Sequence, residues 1–93
     1  MFVGVLQVDL SIPGAFSLKD KRSVVKGLLE RLRRQFGVSA AEVDHQDTWN
    51  RAALGIAFVA NERRRAESQL QHVLNVMERE SDAIVEGSQI EVF

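Results

Sequence analysis

Ninety-three residues hold one domain with a small core, and the absence of cysteine excludes a disulfide framework, thiolate catalysis and thiolate metal sites. No apolar run is long enough to cross a bilayer, and the opening Met1-Phe2-Val3-Gly4 lacks the basic flank and small-residue cleavage site of a secretory leader, so the expected compartment is the cytoplasm. The net charge of −1 hides a segregated surface: Lys19 to Arg34 carries +5 and the remainder −6.

Phe2 to Ile12 reads as a strand, with Leu6, Val8, Leu10 and Ile12 apolar and Gln7, Asp9 and Ser11 alternating with them. Pro13-Gly14 ends it. Ser17 is a good N-cap for a helix from Leu18 to about Phe36, with Asp20 three residues on in a near capping-box position and at the positive end of the helix dipole. Leu18, Val25, Leu28, Leu29, Leu32 and Phe36 give that helix its core face. Lys19, Arg22, Lys26 and Arg33 form a stripe along one flank, and Gly37 is the stop signal. Val38 to about His45 is a weaker strand, suited to a sheet edge, and His45 to Asn50 is a polar turn. Ala52 to Ala60 is apolar on both faces and belongs in the sheet centre. Asn61 is the expected cap of a second helix, whose buried stripe is Ala66, Leu70, Val73, Leu74 and Met77. Ser81-Asp82 breaks it. Ala83 to Phe93 closes the chain as a strand with an irregularity near Gly87.

The order βαββαβ, with short right-handed connections, predicts an α+β ferredoxin-like two-layer sandwich spanning 1–93, its antiparallel sheet ordered 4-1-3-2. In that topology the first strand-helix loop and the turn at His45 to Arg51 lie at one end. Ser17, Lys19, Lys21, Arg22 and Arg51 then converge on a candidate anion site at the helix mouth, with His45 and Trp49 at its rim. The alternative is plain capping by Ser17 and Asp20 with the bases solvated. A second set, Arg31, Arg33 and Arg34 with Arg63, Arg64 and Arg65, is expected at the opposite end, either contacting phosphates or pairing with nearby glutamates. Trp49 either packs over the sheet end or stacks on a partner.

His45, Asp47 and Asp44 are too few for a metal site, and the chain has no glycine-rich phosphate loop, nucleophile elbow or His-Glu-x-x-His, so neither a metal, a cofactor nor an enzymatic activity is expected. Val3, Val5, Ala53, Gly55 and Ala57 make the predicted open sheet face small and apolar. That argues against base stacking there and suits a protein partner or self-association.

Ser17-Leu18-Lys19-Asp20-Lys21-Arg22 and Val43-Asp44-His45-Gln46-Asp47-Thr48-Trp49-Asn50-Arg51-Ala52 resemble the two signature strings of the YlxP-like family of small bacterial proteins, a domain of unknown function. The likeness continues through Leu54-Gly55-Ile56-Ala57 and Asn61. The family usually has glutamate where Asp20 stands and leucine where Thr48 stands. The resemblance implies a ferredoxin-like sandwich and a gene neighbourhood among translation initiation and ribosome-maturation factors. It implies no reaction and no cofactor, and gives no residue a role.

The leading functional expectation is a non-enzymatic factor that binds RNA or ribosomal particles through Lys19, Lys21, Arg22, Lys26 and Arg33, with Arg51 and Trp49 beside them and no membrane partner. Two others stand beside it. One is a small-molecule regulatory domain, since Pro13-Gly14 is similar to a turn of amino-acid-binding domains. The other is a homodimer formed through the sheet face or an edge strand.

Overall fold

The computed structural model describes every residue, 1–93. Its elements are β1 (Phe2–Ser11), α1 (Leu18–Phe36), β2 (Ser39–Asp44), β3 (Arg51–Ala60), α2 (Arg63–Glu80) and β4 (Ile84–Val92). The sheet order is β2-β3-β1-β4 with every neighbour antiparallel, so two βαβ units interleave and both helices cover one face. This is the predicted ferredoxin-like sandwich.

Alternation along the strands divides the faces. Leu6, Val8 and Leu10 of β1 pair with Ile56, Leu54 and Ala52 of β3, and all six are buried beneath the helices. Val25, Leu28, Leu32 and Phe36 of α1 and Leu70, Val73 and Met77 of α2 close the core over them. Val76, outside the predicted stripe, is buried too. The opposite face carries Val5 against Ala57, Gln7 against Gly55 and Asp9 against Ala53, and no chain segment covers it. The irregularity expected near Gly87 is present: Asp9 pairs with Gly87 but Leu10 with Val85, leaving Glu86 as the extra residue.

Two local outcomes turn on packing. Gly37 ends α1 in the left-handed region at φ 63°, its N–H donating to the Arg33 carbonyl, as a C-terminal glycine does. Asn61, by contrast, does not cap α2. The helix starts one residue later, with Glu62 as N-cap and no side-chain cap bond. Ala66 and Leu70 press on Gly4 of β1, where an added Cβ would lie 2.7 Å from Leu70 Cδ1 and 3.2 Å from Ala66 Cβ. That close seating sets the helix's start, and the capping preference of asparagine gives way to it.

Gly4→Val should therefore cost about 3 kcal/mol by forcing α2 off the sheet. Gly27→Ala is the control: nothing lies within 4 Å of a Cβ added there on the exposed side of α1, and the change should stabilise by about 0.5–1 kcal/mol. Urea unfolding of both variants measures the contrast, and equal effects would contradict this account of the helix–sheet contact.

Candidate functional site

The first turn of α1 is closed by a reciprocal cap. Ser17 Oγ accepts the Asp20 N–H at 3.0 Å, and Asp20 Oδ2 reaches back to accept the Phe16 N–H at 3.1 Å. A carboxylate therefore already stands at the helix mouth. Ser17 Oγ is engaged as the cap of α1, so of the residues expected at the helix mouth it is committed to the helix itself. An apolar residue before such a cap usually packs against the fourth helical residue. That residue is Lys21, so Phe16 has no staple partner and lies 81% exposed.

Lys21 requires the main correction. Expected to be a solvated phosphate ligand, it is fully buried, with 0% exposure. Its Nζ donates to Glu42 Oε2 at 2.8 Å, to the His45 carbonyl at 2.8 Å and to the Gln46 carbonyl at 3.3 Å. Three donors meet three acceptors, and no buried side-chain nitrogen or oxygen in the protein is left without a partner. Lys21 continues the core stripe of α1, standing four residues before Val25 and seven before Leu28, while Glu42 shares the inward face of β2 with Ala40. Each charge is drawn under the helices by the periodicity of its own element, and burial of one is tolerable because the other meets it.

The two family strings are thus joined, as the topology requires, but by a structural lock. The lock holds a strained turn. His45 is the one non-glycine residue at positive φ, 62°, with its N–H on Asp44 Oδ1 at 2.7 Å and its carbonyl also accepting from Thr48 N at 3.0 Å. The Ile12 N–H bonds the Asn50 carbonyl at 2.9 Å, bringing the β1–α1 loop alongside the β2–β3 loop. Exposed Phe16 and Trp49, the latter 45% exposed and without a hydrogen bond to its indole N–H, therefore stand at the same end.

Beside them runs the cationic flank. At 100° per residue Lys19, Arg22, Lys26 and Arg33 fall within a sector of about 60°. All four are exposed and form no ion pair, as is Arg51 at the start of β3. The Arg33 guanidinium bonds the Ala40 carbonyl, which places this flank along the β2 edge. Three nearby carboxylates are engaged within the protein, Asp20 with Phe16 N, Asp44 with His45 N and Glu42 with Lys21, while Glu30 and Asp47 are exposed. The second basic set is dispersed. Arg31 pairs with Glu80 at 3.2 Å, while Arg63 bonds the Val92 carbonyl at 3.3 Å and lies 5.4 Å over the Phe2 ring.

This is a two-layer ferredoxin-like sandwich with a cationic helix flank and, at the end where that helix begins, two exposed aromatic rings. The chain belongs to the family described as "Protein of unknown function (DUF503)", whose model matches residues 3–90. It is 43% identical over 72 residues to the uncharacterized protein YlxP of Bacillus subtilis (strain 168), covering 77% of this chain and 78% of that one. Among solved structures, protein YJCS superposes with a TM-score of 0.59 at 14% identity over 96% of both chains. A de novo designed protein with the ferredoxin fold superposes with a TM-score of 0.50 at 12% identity, over all of this chain and 84% of its own. Both structural likenesses concern the fold. No helix is long and apolar enough to cross a membrane.

Glu42→Ala, which strands the buried Lys21, should cost about 3–5 kcal/mol, and the double change Lys21→Met with Glu42→Leu should cost less than either single change. Chemical denaturation of the three variants checks this; a loss under about 1 kcal/mol for Glu42→Ala would show the lock to be dispensable.

Proposed function

We propose that this protein is a non-enzymatic accessory factor that binds RNA, free or on ribosomal particles, through the flank of α1 and the two aromatic rings at its N-terminal end. The observation that carries the reading is that exposed Phe16 and Trp49 stand at the same end of the fold as Lys19, Arg22 and Lys26, none of which forms an ion pair. Phosphates lie along the flank and the Arg51 end of β3, and unstacked bases lie on the rings, the division of labour of sequence-tolerant single-strand binding. Lys21 takes no part in contact. It fixes the turn that presents Trp49. Arg33 is half-committed to the β2 edge and forms the far limit of the flank. The central strands of the open sheet face carry small side chains and the one ring there, Phe93, stands at its corner opposite Val3, so the helix flank rather than the sheet is the RNA surface.

Trp49 is the only tryptophan, so its fluorescence reads the contact directly. Titration with single-stranded RNA oligonucleotides at graded salt should quench it. Replacing Lys19, Arg22 and Lys26 together by alanine should reduce the slope of log affinity against log salt by about 2. Phe16→Ala should weaken binding by roughly 1–3 kcal/mol. An unchanged slope in the triple variant, with circular dichroism showing it folded, removes this surface. Co-sedimentation with ribosomal subunits then distinguishes particle-bound from free RNA as the target.

A further inference from the structure

The two edges of the sheet are finished differently. On β2 the strand is short and irregular, Arg33 occupies the Ala40 carbonyl and Glu42 is locked to Lys21. On β4 the edge is largely open. Val3 and Phe93 exchange both backbone bonds, at 2.9 and 2.8 Å, so the antiparallel alternation turns the N–H and C=O groups of Ser88, Ile90 and Val92 away from β1. Of these, only the Val92 carbonyl finds a partner, Arg63. The inward side chains of Ile90 and Val92 are half-buried, and between them and Arg64, Glu67, Ser68 and Gln71 of α2 runs an open groove of about 590 Å³.

We propose that this edge and groove receive β4 of a second copy of the same chain, joining two four-stranded sheets into one of eight about a two-fold axis at Ile90. The reading is independent of the RNA surface, which lies along the other edge. A two-fold contact must be self-complementary, and one register meets that demand. With the axis at Ile90, Ser88 opposes Val92 of the partner copy and Ile90 opposes itself, so all three outward-facing residues bond in phase. On the open face Gln89 opposes Glu91 of the partner copy, and no carboxylate meets another. On the inner face the two Ile90 side chains meet and the groove is filled. With the axis at Glu91 two carboxylates stand face to face. With the axis at Gln89 or Ser88 the outer pair runs into the irregularity at Glu86 and Gly87. Glu91, an edge charge that discourages indiscriminate pairing, becomes here the residue that selects the register.

Sedimentation equilibrium of the full chain, with amide exchange measured at several concentrations, tests the proposal. The expected result is a monomer–dimer equilibrium in which the Ser88, Ile90 and Val92 amides gain protection as concentration rises. Gln89→Lys should tighten it roughly tenfold and Gln89→Glu should loosen it by a similar factor, because each change acts twice across the axis. Ser88→Pro, which deletes an N–H aimed at the edge and none in the β1 ladder, should abolish it. A chain that stays monomeric to millimolar concentration overturns the proposal. So does a dimer indifferent to both Gln89 variants, which would assign the contact to a surface away from β4.

Discussion

A lysine side chain with no exposed surface holds the first helix of this small domain to the loop between β2 and β3. Lys21 belongs to α1, its acceptors to the end of β2 and the turn beyond it, and no backbone ladder connects those segments directly. Removing an ammonium from water is costly, and only the complete set of acceptors offsets it. The geometry of the His45 turn and the closeness of α1 to the β2–β3 loop depend on that set being complete. A hydrophobic pair at these positions would fill the same space but would leave the His45 and Gln46 carbonyls with no donor, and the turn with no fixed conformation.

Most of the architecture was legible because it rests on simple periodicities. The alternation in β1 and β3, the cap at Ser17, the stop at Gly37 and the slip near Gly87 all follow from residue types at fixed spacings, and the structure has each of them. The start of α2 was not legible, since it is set by how Ala66 seats on Gly4 across the sheet, a contact that no local spacing reveals. Lys21 is the more instructive miss. Within a run of bases it reads as one more solvated cation, yet its spacing to Val25 and Leu28 places it on the buried stripe. Glu42, two residues beyond Ala40, carries the complementary signal. Two opposite charges, each on the inward phase of neighbouring elements, were the available sign of a buried pair.

Phe16 was missed for the opposite reason. An apolar residue before a helix cap ordinarily folds back onto the fourth residue of the helix, so it draws no notice as a surface feature. Here that position is taken by a side chain directed at other partners, and the ring is left in solvent at the same end as Trp49. Burial of the lysine and exposure of the phenylalanine are thus two results of one choice of residue. The same residue removes a cation from the surface and leaves an aromatic ring on it. The remaining bases of the flank form no ion pair, while Asp20 and Asp44 bond backbone donors and Glu42 bonds Lys21.

The chain has three lysines, and two of them, Lys19 and Lys26, lie open to solvent while the third is sealed. An amine-directed acylating reagent, or a lysine-acetylating enzyme, therefore meets two chemically ready lysines at once and the third only when the hairpin parts from the helix. Once acylated, that third nitrogen has lost its charge and two of its hydrogens and cannot satisfy the acceptors it left. Modification there is a one-way trap for the opened form, and its rate is a clock for how often the domain's end comes apart.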